Sequence, residues 1–588
     1  MLVEVNEILI LLKRLWAHFT SARKKQLFFL LLFMIFVSFV EVVSIGAVLP
    51  FLGALTSPER VFELPILKPM IELIRVKSAN QLLLPLTIIF SIAALFAGLM
   101  RIALLKISTS ISFGIGADLS AGIYERTLYQ PYSIHISRNS SFVIDGISIK
   151  INNIIYSIIV PCLTLLSSSV MLLVIFLVLL WINPEVAVIS FSTFGLIYIF
   201  IVVLSRKRLT LSSDVVAQES THMIKLLQDS LGGIRDILLD GSQKTYCDTY
   251  RNADRLLRKA QSKISFIAQS PRFFMEALGM ILIALLAFFI SVHSNGESNA
   301  IPVLGVLALG AQRLLPVLQQ AFHSIACILG GHVSLSDTLS LLDQPIPQKI
   351  SLSNPVAFNK SIKLNNISFK YSDDMPWVLN NLSLEIAKGS RIGFVGATGS
   401  GKSTLLDILM GLLICNKGSL EIDGLPLNEF NQVNWQRHIA HVPQAIFLSD
   451  GTIEENIAIG VLPSEIDHAR VVHAAKQARI AESIDSWPHQ YKTLVGERGV
   501  RLSGGQRQRI GIARALYKQA DVIIFDEATS ALDSETEDDV MHAIESLSPD
   551  LTIIMVAHRL TTLRHCNFIV ELESGQIKRV VNYQEIVN

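Results

Sequence analysis

The sequence predicts a six-helix α-helical membrane domain followed by an α/β domain, and three observations carry that expectation. Hydrophobic residues make up 51% of the 588-residue chain at a mean hydropathy of +0.48, too apolar for an ordinary soluble enzyme, and they crowd into its first 330 positions. After the short connector containing Pro345 and Pro347, β-branched runs alternate with helical patterns and glycine-rich turns. One of those turns ends in Gly401-Lys402-Ser403, between a strand and a helix.

In chain order, Lys13, Arg14, Arg23, Lys24 and Lys25 come first, ahead of an apolar run from Gln26 to Leu55 broken only by Glu41. About 20 apolar residues span a bilayer, and this run exceeds a secretory signal's core, so an uncleaved first span is expected. Further runs follow at Leu82–Ile107, Ile154–Ile182, Val186–Leu204, Phe273–Val292 and Ile301–Leu329, giving six spans. Only Asn183-Pro184-Glu185 separates the third from the fourth, and only His293 to Ser298 the fifth from the sixth. The long stretch opening with Arg206-Lys207-Arg208 therefore shares a side with the basic N-terminus, and positive charge places that side in the cytoplasm. The expected organisation is a cytoplasmic N-terminal helix at 1–25, a membrane domain at 26–332, a linker at 333–360 and a nucleotide-binding domain at 361–588. Such a chain is expected to be an integral, multi-pass membrane protein with its second half in the cytoplasm.

Formal net charge is +1, so no imbalance points to nucleic acid as a partner. The cysteines (Cys162, Cys247, Cys327, Cys415, Cys566) form no CxxC pair and read as small hydrophobes rather than a disulfide framework or zinc site.

Arginine at bilayer depth costs at least about 2.5–3.5 kcal/mol, so Arg101, Arg272 and Arg313 each need a wet or paired environment. On one reading they line a cavity and bind an anionic head group, since a guanidinium forks onto phosphate oxygens. On the other they pair with Glu41 or Glu276, or snorkel to the interface.

In the second half, strands are expected at Ile362–Tyr371, Arg391–Val395, Ile439–Val442, Asp521–Phe525 and Thr552–Val556. The second of these enters Gly396-Ala397-Thr398-Gly399-Ser400-Gly401-Lys402-Ser403-Thr404, a P-loop. Its glycines let backbone N–H groups and the helix N-terminus face the phosphates of ATP, Lys402 reaches the outer phosphates, and the Ser403 hydroxyl is a ligand for Mg²⁺. A buried strand ending in Asp526-Glu527 puts two carboxylates at the sheet's C-terminal edge. Asp526 suits water-mediated Mg²⁺ binding, and Glu527 suits taking the proton of the attacking water.

Leu502-Ser503-Gly504-Gly505-Gln506 resembles the signature of the ABC ATPase family. That resemblance implies that Tyr371 stacks on adenine, that Gln444 senses Mg²⁺ and meets the membrane helices, and that Ser530 to Asp533 form the D-loop. It makes His558 the switch histidine on the γ-phosphate. Ser503, Gly504, Gly505 and Gln506 then build a second phosphate cradle serving a partner's P-loop, so a homodimer sandwiching two ATP molecules head to tail is implied. Val495 to Gly499 resembles the exporter-specific loop, and the whole chain resembles an exporter half-transporter. Within the membrane half, Ser38 to Gly46, Arg313 to Pro316 and an extracellular amphipathic stretch around Val61 to Ile74 resemble the PglK-type lipid-linked oligosaccharide flippases. Their cargo would be amphipathic and anionic, a polyprenyl-pyrophosphate-linked oligosaccharide taken from the bilayer. Lipid A, multidrug and peptide exporters share the architecture. A non-transporting regulator or channel would call for a degenerate hydrolysis site, and the motifs are intact.

Overall fold

The computed structural model describes residues 2–56, 58–62, 78–182, 184–293, 300–346, 357–528, 537–538, 542, 550–557 and 559–587. The chain divides into two compact units: Met1–Gln130 with His135–Ile346, and Pro347–Asn588 with the four residues Pro131–Ile134.

The first unit is helical. After the N-terminal helix Leu2–Ala17, long helices at Ser21–Gly46, Leu83–Leu128, Val160–Ile182, Pro184–Gly232, Gln243–His293 and Ala300–Leu342 carry the six expected apolar runs. Among the described residues, Ser21–Ser44, Leu83–Leu128, Ser140–Val178 and Leu314–Leu342 are long and apolar enough to cross a membrane. The 46 residues of Leu83–Leu128 rise about 69 Å at roughly 1.5 Å each, more than twice the ~30 Å hydrocarbon core, so this helix continues well beyond the bilayer. Pro271 and Pro316 sit inside their helices without ending them, as neighbouring helices in a membrane allow. Of the amphipathic stretch expected around Val61 to Ile74, only Val61 and Phe62 are described, at the end of the short helix Pro58–Phe62; the remainder lies outside the described residues.

Ahead of the third span the helix widens into two π turns, Gly146–Lys150 and Ile155–Ile159, on either side of Ile151–Ile154. An inserted residue in such a turn rotates the side chains that follow. The first turn carries Lys150 into the interior, 1% exposed. Its ammonium donates to Asp337 of the sixth helix at 2.6 Å, lies 3.3 Å from Asp145, and sits 4.7 Å from the centre of the Phe142 ring. Asp145 is fully buried and accepts from the Ser220 and Thr221 hydroxyls of the fourth helix at 2.7 and 2.6 Å. A buried charge set of this kind is tolerated because every member is hydrogen-bonded.

The second unit contains two sheets. Strands are β1 Ser361–Phe369, β2 Leu379–Ala387, β3 Arg391–Val395, β4 Lys417–Ile422, β5 Leu425–Pro426, β6 Ile439–Val442, β7 Val522–Asp526, β8 Thr552–Val556, β9 Phe568–Glu573 and β10 Gln576–Val581. The core sheet runs β10-β9-β3-β8-β7-β6, parallel except for the β9–β10 hairpin. Its strands are near-continuous Val/Ile/Phe runs because both faces are covered: Ile510, Ala513 and Ile523 pack in one cluster and Phe394, Leu405 and Trp435 in the other. β3, β6, β7 and β8 fall where the sequence places strands. A second, antiparallel sheet runs β2-β1-β4-β5, in which β1 answers to the strand expected at Ile362–Tyr371 but ends at Phe369, leaving Tyr371 beyond it; β2, β4, β5, β9 and β10 were not anticipated.

Asp423 at the β4–β5 turn fastens β1, accepting from the backbone N–H groups of Asn359, Lys360 and Ser361 at 2.6, 2.7 and 3.0 Å. Burial works against its charge, but these donors outweigh it and hold the carboxyl below its usual range. A depressed acid stabilises the fold above its unfolded pKa and loses that contribution as pH falls through the folded value. Asp423→Ala should therefore lower the melting temperature at neutral pH by about 2–4 °C, and melts at successively lower pH should show the gap closing below about pH 4.

Candidate functional site

β3 delivers the chain into the P-loop, and the helix Lys402–Leu409 leaves it. Gly401 caps that helix at φ +98°, and a Cβ there would lie 2.7 Å from Leu379 Cδ2; at Gly396, φ +153°, it would lie 2.3 Å from the Leu572 carbonyl. Both positions require glycine, and the loop can therefore turn its N–H groups toward a ligand. The Lys402 ammonium is held over the loop by the carbonyls of Gly396 and Ala397 at 2.8 and 3.0 Å. Ser400 is buried, and its hydroxyl has no hydrogen-bond partner. A buried hydroxyl left unsatisfied costs about 1–3 kcal/mol, and phosphate oxygens would satisfy it. The P-loop thus fits a nucleotide triphosphate on its own donors. The Thr404 hydroxyl lies 3.0 Å from that of Tyr371, whose half-exposed ring packs edge-on against Phe369 at 5.1 Å.

Asp526 closes β7, opposite Val556 of β8, and Glu527 follows at φ +51°. A non-glycine residue in the left-handed region is strained and marks a position the surroundings over-determine. The strain is held by the Glu527 N–H donating to the Val556 carbonyl at 2.9 Å and by Gln444 Nε2 donating to the Glu527 carboxylate at 2.6 Å. The structure therefore brings together Gln444 and Glu527, far apart in sequence. Ser403, Asp526 and Gln444 offer the hard oxygen donors that Mg²⁺ takes. Asp407, not singled out from the sequence, has its carboxyl pushed up to about 6, by burial first and then by the charge of Asp526. The available signal was an acid one turn along the P-loop helix amid Leu405, Leu406, Ile408 and Leu409.

Ser503 caps the helix Gly504–Lys518. Its hydroxyl accepts from the Gln506 N–H at 3.2 Å, while the Gln506 side chain accepts from the Ser503 N–H at 2.9 Å. This capping box fixes the helix start so that Gly504 and Gly505 present their N–H groups at its positive end. His558 and the D-loop Ser530 to Asp533 lie outside the described residues.

In the membrane unit, a cavity of about 830 Å³ lies among the first, second, third and sixth long helices. Hydroxyls line it: Ser38, Ser112 and Thr164 donate to carbonyls of their own helices at 2.9, 2.8 and 3.0 Å, leaving lone pairs to accept. Ser168 on the same wall is 3% exposed, and its hydroxyl has no partner. Arg101 lines this cavity in an ion pair with the buried carboxylate of Glu41. Arg272 is exposed, pairs with Glu276 at 2.8 Å, and stands outside the wall. Arg313 falls in Ala300–Leu342, but its side chain lies outside the described residues. For Arg101 and Arg272, the carboxylate partners are those weighed as the alternative to a cargo contact.

Comparison with known proteins adds a second line of information. Residues 22–309 match the family of ABC transporter transmembrane regions, and residues 379–530 match the ABC transporter family proper. The chain is 30% identical over 466 residues, 78% of its length and 79% of the relative's, to a protein of Thiobacillus denitrificans named ATP-dependent lipid A-core flippase. It is 28% identical over 499 residues, 84% of its length and 83% of the relative's, to one of the same name from Cupriavidus metallidurans. Among solved structures, a bacterial Atm1-family ABC exporter with ATP bound matches at a TM-score of 0.76 and 24% identity, covering 92% of this chain and 95% of that one.

Proposed function

Since the chain belongs to the ABC transporters, as an exporter-type half-transporter that couples ATP hydrolysis to movement across a bacterial inner membrane, we propose that two copies form a flippase for a lipid-linked anionic glycan, a polyprenyl-pyrophosphate-linked oligosaccharide. The observation that carries this reading is the hydroxyl-walled cavity with its Glu41–Arg101 pair. A purely apolar drug leaves the buried Ser168 hydroxyl without a partner and the lone pairs of the other wall hydroxyls unused, whereas sugar hydroxyls and phosphates supply hydrogen-bond donors and charge. A second reading, lipid A and its core sugars as cargo, is favoured by the names of the relatives.

In the proposed cycle, Tyr371 faces adenine, and Gly396, Thr398, Gly399, Ser400, Gly401, Lys402 and Thr404 bind the phosphates. Lys402 neutralises charge at the leaving group, and Glu527 accepts the proton of the water that Gln444 helps to position. His558 contacts the γ-phosphate. Bound Mg²⁺ would neutralise phosphate charge, with Ser403, Asp526 and Gln444 as the residues that hold it. Ser503, Gly504, Gly505 and Gln506 of one protomer close over the P-loop of the other, and that closure turns the cavity outward.

The test is reconstitution with each purified cargo. A polyprenyl-pyrophosphate glycan should stimulate ATP turnover and be moved, and lipid A should do neither; the reverse result transfers the function to the second reading. Arg313 and Arg101 are proposed to meet the anionic head, and Arg272 to guard its approach. Arg313→Ala should reduce glycan translocation by about tenfold or more, with Lys restoring it only in part because a point charge replaces a fork. Translocation at the wild-type rate in Arg313→Ala vesicles would make Arg313 a structural residue.

A further inference from the structure

A second cavity in the membrane unit, about 570 Å³, differs in kind from the first. It lies between the N-terminal helix Leu2–Ala17 and the first and third spans, and among the described residues Lys24 is the only charged one on a wall otherwise made of side chains such as Leu12, Leu27 and Ile159. Phe28 and Leu166 on this wall are 59% and 40% exposed. An apolar rim of this kind suits hydrocarbon chains entering the groove from the side.

Depth can be read along the first span. Lys24 lies 5.9 Å from the centre of the Trp16 ring, a cation and an aromatic of the types that gather at the membrane interface. Met34, ten residues further, lies about 15 Å deeper, roughly the middle of a ~30 Å hydrocarbon core. Met34 and Leu163 belong to the walls of both cavities and are 2% and 9% exposed. They form the threshold between an apolar compartment at inner-leaflet depth and a polar one that begins at mid-membrane. On the polar side the orphan Ser168 hydroxyl needs a partner.

Two adjoining compartments of opposite character suit a molecule with two such parts. An ordinary anionic phospholipid could put its head on Lys24 and a chain in the groove, but it would leave the polar cavity unaddressed. Resting on the flippase reading above, we propose that the groove holds the hydrocarbon tail of the lipid-linked cargo while its sugar-phosphate head occupies the polar cavity, Met34 and Leu163 being the point at which tail gives way to head.

The full-length dimer carrying p-benzoylphenylalanine in place of Phe28 is irradiated in vesicles holding equal amounts of a polyprenyl phosphate and phosphatidylglycerol, and adducts are weighed by mass spectrometry. The expected product is predominantly the polyprenyl adduct. Equal yields identify an annular lipid surface and overturn the proposal. In a second measurement, Leu166→Trp narrows the groove. The concentration of long-tailed glycan lipid that half-stimulates ATP turnover should rise about tenfold, equivalent to roughly two buried methylenes lost. The same measurement with a short-tailed analogue should move far less; an equal shift for both, or none for either, overturns the groove. The two readings fail separately. Wild-type protein that moves the glycan lipid yet shows no adduct preference loses the groove alone, whereas preference without glycan movement keeps the groove and discards the cargo.

Discussion

Purified Glu527→Gln should bind ATP as tightly as the wild-type protein and hydrolyse it slower by on the order of 10² or more, the usual contribution of a positioned base. The substitution isolates the proton-accepting role. Gln444 Nε2 donates to Glu527 Oε2 at 2.6 Å, and a glutamine carbonyl at 527 can accept that same bond, so the strained turn at φ +51° keeps its support. With hydrolysis blocked, the closed dimer should accumulate in ATP, visible as a shift in size-exclusion elution of the two nucleotide units cross-linked across their interface. Turnover at the wild-type rate would falsify the assignment and move the base elsewhere.

The second large effect concerns which chain completes each site. Lys402→Ala and Ser503→Ala homodimers should each lose hydrolysis by about 10² or more, as removal of a preorganised phosphate contact does. A dimer pairing one chain of each kind has a different arithmetic. If Ser503 serves the partner's P-loop, one site carries both defects and the other none, and trapping should recover one tightly held nucleotide per dimer. If each chain completes its own site, both sites are damaged once and neither traps nucleotide. The capping box between Ser503 and Gln506 leaves the Ser503 hydroxyl proton uncommitted by that bond, which is what a donor to a second chain's phosphate requires.

The parts most legible in the sequence were those whose chemistry tolerates no alternative. Gly396 and Gly401 have no room for a Cβ, and buried parallel strands such as β7 and β8 must be continuous Val/Ile runs, so the P-loop and the core strands β3, β6, β7 and β8 were readable, while the β9–β10 hairpin at the sheet's edge was not. Of the antiparallel sheet only β1 was legible; its partner β2 pairs with it through register shifts at Leu364–Ile367 and Ile367–Phe369, which blur the alternation on which a strand is recognised. In the membrane half, spans were legible but their faces were not. Leu30 and Met34 are buried while Phe28 and Phe29 are exposed, yet all four are apolar, since lipid and protein interior select the same side chains. For that reason the arginines could be placed at depth, while the Glu41 partner of Arg101 stayed one of two choices. Asp407 was missed because its environment comes from β7, more than a hundred residues away in sequence.

The Lys150 cluster bears on how the protein is made. Its members arrive at very different times during synthesis: Asp145 and Lys150 come together, Ser220 and Thr221 follow, and Asp337 emerges almost two hundred residues after Lys150. Until then the first two charges share a pocket without their full set of partners, and a buried charge stripped of a partner costs about 3–5 kcal/mol. The set of partners around Lys150 is therefore complete only once the sixth helix supplies Asp337. A chain that stops before residue 337 lacks the Asp337 partner of Lys150, and its membrane unit should melt at a lower temperature than that of the full-length protein.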